Sequence, residues 1–215
     1  MAIDNLDHVF REEYNLDQLT EELILENPFD QFELWFQDII KSGVRQPNSM
    51  VLSTSNLAGD VNSRIVLLKD YDLEGFTFYS DYRSKKAQFM SENPKASLLF
   101  YSIELERQIR IEGLIEKVPY ETSNKYFKSR PKGSQFAAMT SHQSSIVKDR
   151  NELELSYKNV EKRLQDQDFD CPEYWGGYCL KPNYFEFWQG RKSRLHDRLI
   201  FRLIDENWIL KRLSP

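Results

Sequence analysis

The chain has 215 residues, 40% hydrophobic and 29% charged, a balance that builds a core and excludes a disordered tail. Asp and Glu number 34 against 29 Lys and Arg, so the net charge is −5, which excludes a polycation that holds nucleic acid by bulk charge. No stretch nears the roughly 20 apolar residues of a membrane span, two cysteines make no disulfide framework, and the opening MAIDNLDHVFREEY lacks the regions of a secretory signal, so a cytoplasmic globular protein is expected.

The chain starts acidic, with ten carboxylates and one basic residue, Arg11, between Asp4 and Glu33. Asn27-Pro28-Phe29-Asp30 predicts a helix start, since Pro is tolerated in the first turn and Asp suits the positive end. Phe29, Phe32, Trp35, Phe36 and Ile39 recur at helical steps, which predicts an amphipathic helix to about residue 42, stopped by Gly43. The period then changes. Segments 50–53, 63–69, 76–80, 96–101 and 108–118 are short, apolar or alternating, and rich in β-branched and aromatic residues. Turn signals at Ala58-Gly59-Asp60, Leu73-Glu74-Gly75 and Asn93-Pro94 separate them, predicting closely spaced and mostly antiparallel strands.

Helices are predicted over 84–92, with Ser84 as N-cap, and over 120–129, ahead of Pro131. A charged helix with Leu153, Leu155, Val160 and Leu164 follows over 151–165, then a polar loop over 165–168. Strands return over 177–180, 184–188, 198–204 and 208–213. Strands on both sides of the long helix are expected to close one barrel. The expected organisation is a mobile N-terminal segment, 1–26, and a single domain, 27–215, of the α+β class with a β-barrel core and peripheral helices.

Familiar nucleotide and hydrolase signals are absent: there is no GxGxxG, no GxxxxGK[ST] and no GxSxG. His8, His142 and His196 are far apart, and Cys171 and Cys179 lack metal-ligand spacing, so no metal is expected. What remains is basic residues inside strand-like segments. Arg64 and Lys69 flank Ile65-Val66-Leu67-Leu68, and on an unbroken strand they point to opposite faces. They serve two different anionic groups, or one of them is an ordinary edge charge. Arg83-Ser84-Lys85-Lys86 stands at a predicted helix N-terminus, where cations are unfavourable unless a phosphate is bound. Tyr126 and Arg130 share a predicted helix face and Ser134 follows in a loop, a set suited to a phosphate monoester as well as to a plain surface. FEFWQGRKSRLHDR, over 185–198, sets Trp188 beside several basic residues and His196, a surface for a flat anionic aromatic ligand. Taken together, these clusters fit a binder of small phosphorylated aromatic molecules.

RIVLLKDYD (64–72), GFTFYSDYRSKKA (75–87), ERQIRIEG (106–113), KYFKSRPKGSQ (125–135), HQSS (142–145), WGGY (175–178) and EFWQGRKSRLHDR (186–198) resemble, in order, the pyridoxamine 5'-phosphate oxidase family. The resemblance implies an FMN-binding split β-barrel, a homodimer with FMN at the subunit interface. It implies oxidation of pyridoxamine 5'-phosphate and pyridoxine 5'-phosphate to pyridoxal 5'-phosphate with O2 as acceptor, in vitamin B6 metabolism. By matching positions, FMN would be held by Arg64, Ile65, Val66, Leu67, Leu68, Lys69, Tyr79, Ser80, Lys85, Lys86, Gln108, Gln143, Ser144, Trp188 and Arg198. Substrate would meet Lys69, Tyr126, Arg130 and Ser134 at its phosphate and Arg194 and His196, the catalytic pair, at its ring. Arg11 and Tyr14 resemble part of a covering N-terminal segment. Lys85 stands where relatives often carry Arg, and Ala137 and Met139 where many carry Gly and Trp. Two other readings are a split-barrel reductase with another substrate and a non-catalytic binder of flavin or pyridoxal phosphate.

Overall fold

The computed structural model describes residues 13–215. Its elements are helix α1 (Pro28–Lys41), strands β1 (Ser49–Ser55), β2 (Val61–Leu67), β3 (Asp70–Asp72) and β4 (Gly75–Asp81), then helix α2 (Lys85–Glu92). Strands β5 (Lys95–Ser102) and β6 (Arg107–Lys117) precede helices α3 (Tyr120–Ser129), α4 (Lys132–Thr140) and α5 (Arg150–Leu164). Strand β7 (Trp175–Gln189), a 3-10 turn (Lys192–Arg194), β8 (Asp197–Ile204) and β9 (Asn207–Arg212) complete the chain. The strands form one sheet in the order β2-β1-β5-β6-β7-β4-β3, with β8 pairing β7 and β9. The pairs β1–β2, β3–β4, β4–β7, β7–β8 and β8–β9 are antiparallel.

Contacts gather the chain into two compact units. One takes the described residues up to Pro47 together with Leu99–Ile111 and Asn183–Pro215. Its core forms because α1 turns Phe32, Trp35, Phe36 and Ile39 inward. Phe32 meets Phe100 with ring centroids 5.3 Å apart, and Trp35 meets Phe187 at 5.4 Å. The start of α1 is fixed as the sequence predicts: the Asn27 side chain accepts a hydrogen bond from the Phe29 N–H, and Pro28 needs no partner there. Gly43 follows the helix at φ +77°, a conformation that favours glycine.

The other unit takes Asn48–Leu98 and Glu112–Pro182. Met50, Leu52, Phe76, Phe78 and Leu180 are buried in it. A second cluster sets Phe127, Cys171 and Trp175 together under Tyr79, Tyr126 and Met139. Ser84 caps α2, its hydroxyl accepting from the Ala87 N–H.

Three expectations are corrected. Segments 177–180 and 184–188 belong to one strand, β7, which runs through Pro182. Its pairing with β4 ends at Leu180 and its pairing with β8 begins at Tyr184, so the missing N–H of Pro182 costs neither ladder a bond. Segment 63–69 is not one strand: β2 stops at Leu67, and the Lys69 N–H turns to the Thr77 carbonyl. Alternation therefore does not carry from Arg64 to Lys69. Ser134 lies in the first turn of α4 rather than in a loop, and Arg130 ends α3 with extended backbone (φ −74°, ψ 151°).

Candidate functional site

Two cavities hold most of the residues singled out in the sequence. The larger, about 940 Å³, lies in the unit formed by 48–98 and 112–182. Five cations line it, Arg64, Lys69, Lys85, Lys86 and Arg130, against one carboxylate, Asp81. Asp81 is already taken: Arg83 grips it with Nε at 3.0 Å and Nη2 at 2.7 Å. Burial pushes the Asp81 carboxyl up, and the Arg83 hydrogen bonds outweigh that and hold it below its usual range. The cavity is thus built with an excess of positive charge.

Its cations fall into two groups. Lys86 is buried, and its Nζ donates to Ser80 Oγ at 3.0 Å, Ser84 Oγ at 3.2 Å and Gln143 Oε1 at 2.5 Å, all neutral acceptors. Among the described residues Arg64 likewise donates to neutral oxygens, of Leu52, Thr54 and Asn62. Burial lowers the Arg64 pKa. For Lys86, burial and then the Arg64 charge bring it from the ordinary 10.5 down to about 8. Such a pair stays charged at neutral pH at a cost that an anion would relieve. Ser144, at φ +73°, and Gln143 complete this wall.

The second group is Lys69, Tyr126, Arg130 and Ser134. Arg130 Nη1 is buried with no hydrogen-bond partner among the described residues. Its guanidinium lies 4.7 Å from the Trp175 ring centroid. Burial lowers the Arg130 pKa. Tyr79 stacks on Tyr126 at 3.9 Å, and burial raises its phenol to about 12, so it stays protonated. Gly177 makes room for this wall: an added Cβ would fall 2.6 Å from Val118 Cγ2 and 2.9 Å from Tyr79 Cε1. Gly177→Ala is expected to lower the unfolding free energy by about 1–3 kcal/mol through overpacking, read from the urea midpoint. An unchanged midpoint would show that the wall gives way freely.

Of the residues matched to FMN, Arg64, Ile65, Val66, Leu67, Lys69, Tyr79, Ser80, Lys85, Lys86, Gln143 and Ser144 line this one cavity. Leu68 does not: it is 4% exposed, and its main chain bonds Asn48 on both sides. The smaller cavity, about 360 Å³, lies in the other unit and is lined by Gln108, Trp188 and Arg198 with Leu99, Arg110, Glu186 and Pro215. Arg198 is oriented there by Glu186 Oε1 (2.7 Å from Nε) and the Ser214 carbonyl (3.0 Å from Nη1).

His196 packs on Trp188 at 4.6 Å, and Tyr14 meets both rings edge-on at 5.6 and 5.7 Å. His196 Nδ1 accepts from the Arg191 N–H at 3.1 Å. Burial, then the Arg194 charge, lower its pKa below 6.5, so at pH 7 the ring is neutral with its proton on Nε2. Arg194 is exposed at φ +61° after Ser193 at φ +56°, two adjacent left-handed non-glycine residues. Strain of this kind persists where surrounding structure holds it, often at functional sites. The 15 and 16 N–H groups bond Glu106 Oε2 and hold the chain next to Tyr14. Arg11 lies outside the described residues. Nothing in the sequence marks out Asp81 and Arg83 as braces of the larger cavity. Trp175 stands in the WGGY motif with no role attached.

Residues 36–163 match the family model described as pyridoxamine 5'-phosphate oxidase. Residues 175–215 match that of the pyridoxine 5'-phosphate oxidase C-terminal dimerisation region. A pyridoxine/pyridoxamine 5'-phosphate oxidase of Acaryochloris marina is 44% identical over 205 residues, covering 95% of this chain and 94% of the relative. That of Leptospira biflexa is 45% identical over 205 residues, covering 95% and 97%. Among solved structures, PhzG from Burkholderia lata, in complex with tetrahydrophenazine-1-carboxylic acid, has a TM-score of 0.87 at 26% identity and covers 93% of this chain and 99% of its own. A pyridoxamine 5'-phosphate oxidase-related, FMN binding protein from Nostoc punctiforme shares the fold, with TM-score 0.69, 14% identity and coverage of 88% and 98%. The expected α+β split-barrel class is borne out.

Proposed function

The chain belongs to the pyridoxamine 5'-phosphate oxidase family, an oxidoreductase family, and on that premise we propose that it is an FMN-dependent oxidase of pyridoxamine and pyridoxine 5'-phosphates. The product is pyridoxal 5'-phosphate and the electron acceptor O2. The observation that carries this reading is the second cation group, whose buried Arg130 Nη1 has no hydrogen-bond partner among the described residues and whose Tyr126 and Ser134 hydroxyls flank the same cavity. Charge-assisted donors around a small space fit a phosphate monoester.

The first group fits the other phosphoryl group, that of FMN. Arg64, half-buried, and Lys86, buried, have no carboxylate hydrogen-bond partner among the described residues, and Ser80, Gln143 and Ser144 supply neutral hydrogen-bonding groups beside them. A cavity near the upper end of the usual ~300–1,000 Å³ range leaves room for more than one small ligand. FMN, when bound, supplies the two-electron chemistry that no side chain of the chain provides. The protein's part is position. Lys69, Tyr126, Arg130 and Ser134 fix the remote phosphate, so that binding energy there orients the reacting carbon. His196 presents an Nε2–H donor, which suits it to orient a ring substituent rather than to abstract a proton in this state. Arg194 adds a positive charge beside it. A homodimer with FMN at the subunit interface is part of the same reading, supported by the dimerisation-region match. So is a cytoplasmic location, consistent with two free buried cysteines.

Lys86 gives the reading a pH signature. A phosphoryl dianion favours the charged lysine, so binding at this group takes up a proton above pH 8. FMN affinity is expected to be full below about pH 8 and to fall as pH rises beyond it. In the ligand-free protein the same lysine acts in the other direction. Between about 8 and 10.5 the unfolded chain holds more of its proton, so this group's contribution to stability rises with pH. A flavin affinity flat from pH 7 to pH 10, by fluorescence titration, would take Lys86 out of the anion site.

The experiment for the activity is peroxide production in air. Turnover of pyridoxine 5'-phosphate far above that of unphosphorylated pyridoxine supports the proposal. Turnover of a nicotinamide donor instead identifies a reductase, and a yellow protein without peroxide a binder. A second reading, oxidation of a carboxylate-bearing ring compound, is favoured by the similarity to PhzG. It predicts turnover of such an acid and indifference to the phosphate.

A further inference from the structure

We propose that Trp175 is a positioning residue for the substrate phosphate: its indole face is the shelf that fixes which edge of the Arg130 guanidinium meets the cavity. The inference rests on the reading of Lys69, Tyr126, Arg130 and Ser134 as the phosphate cradle. Arg130 has unusual freedom for a half-buried arginine. It lies past the end of α3 with extended backbone, and no ion pair or side-chain hydrogen bond to a described residue sets its orientation. What it does touch is aromatic: its guanidinium carbon lies 4.7 Å from the Trp175 centroid and 5.9 Å from that of Phe127. A planar guanidinium stacks on an aromatic face, best on tryptophan, and an ammonium does not lie flat in the same way.

The shelf is itself immobilised. Trp175 is 7% exposed. It runs parallel to Tyr126 (7° between planes) and Tyr79 (15°) and takes the edge of Phe127 at 5.4 Å. Its main-chain N–H donates to the Pro172 carbonyl, and its main-chain carbonyl accepts from the Cys171 thiol. Behind it, Gly176 and Gly177 let Tyr82 and Tyr79 approach closer than any side chain would allow. The WGGY motif thus assembles one wall of parallel rings, with two phosphate-cradle residues, Tyr126 and Arg130, lying against it. A merely space-filling Trp175 would leave Arg130 indifferent to what replaced it.

The test uses full-length, flavin-loaded protein, so that the FMN cradle is filled. Two quantities are read: inorganic phosphate binding by calorimetry, and KM and kcat for pyridoxine 5'-phosphate and unphosphorylated pyridoxine. Trp175→Leu is expected to weaken phosphate binding and lower kcat/KM for pyridoxine 5'-phosphate about tenfold, with the pyridoxine kcat/KM held within about twofold. Trp175→Phe keeps an aromatic face and should stay within about threefold of the parent. Arg130→Lys keeps the charge but should lose as much as Trp175→Leu, and the two together should lose little more than either alone. Full multiplication of the two effects, or equal losses on both substrates, overturns the inference. Arg130→Lys leaves the core intact, so parental phosphate affinity in that variant overturns it even where Trp175→Leu does not fold. A parent that binds phosphate but oxidises neither substrate contradicts the oxidase reading and leaves the shelf to be judged by calorimetry alone.

Discussion

Replacing Glu186 by Ala is expected to lower the unfolding free energy by about 3 kcal/mol, the low end for breaking a buried ion pair. The Glu186 side chain is 7% exposed. Arg198 Nε donates to one oxygen at 2.7 Å, while Arg110 and the Tyr184 hydroxyl donate to the other. Its removal takes from Arg198 the carboxylate that its Nε grips and from Arg110 and Tyr184 an acceptor they share. The low end applies because Arg110 and Arg198 keep 40% and 27% side-chain exposure, and water screens what remains. Burial would push the Glu186 carboxyl up, but the hydrogen bonds of Arg198 and Arg110 outweigh it and hold the group below its ordinary 4.5. Its stabilising contribution is therefore complete above that value and lost as pH falls through the lower, folded-state value. Urea unfolding at pH 7 and at pH 4 should show the gap between parent and variant closing on the acid side. A variant within about 0.5 kcal/mol of the parent at pH 7 would mean that the two arginines find other partners.

Arg130→Ala is expected to weaken binding of the phosphorylated substrate by about 1.5–3 kcal/mol, roughly ten- to 150-fold, the scale of a charge-assisted hydrogen bond. FMN retention should be nearly unchanged, because Arg64 and Lys86 form a separate group of the cavity. Thermal stability of the ligand-free protein should not fall. Nη1 is buried without a hydrogen-bond partner among the described residues, so the desolvation cost of the guanidinium offsets what its stacking on Trp175 contributes to that state. A site that gives up stability to hold an anion has this signature: affinity lost, stability kept. Equal substrate affinity in parent and variant would remove Arg130 from the phosphate site.

Local chemistry made some of this legible in the sequence. The helical steps from Phe29 to Ile39, the Asn27-Pro28 start and the Ser84 cap all recur in the structure because each is satisfied by residues a few positions away. The limits of α3, Tyr120–Ser129, follow in the same way from flanking prolines. What depends on distant partners was not legible. Pro182 marks the end of a strand by every local rule, yet β7 continues, because its pairing changes from β4 to β8 at that point. Helix α4 has no side-chain cap and a run, Phe136 to Met139, without helical spacing, so nothing local announces it. The site divides likewise. Motifs supplied the cations, but only folding shows that Arg64 and Lys69 line one cavity across a broken strand. The capture of Asp81 by Arg83, the unpaired Arg130 nitrogen and the His196 proton on Nε2 all depend on side-chain geometry.

One cavity is proposed to seat a flavin phosphate and a substrate phosphate in separate cradles so that the flavin can oxidise the substrate. An absorbance spectrum of the FMN-reconstituted protein, taken before and after anaerobic addition of pyridoxamine 5'-phosphate, tests it most directly. A flavin band in the visible blue is expected to bleach on addition and to return on admission of air. A colourless protein that cannot be reconstituted with FMN, or a yellow one whose band is untouched by the substrate, would contradict it.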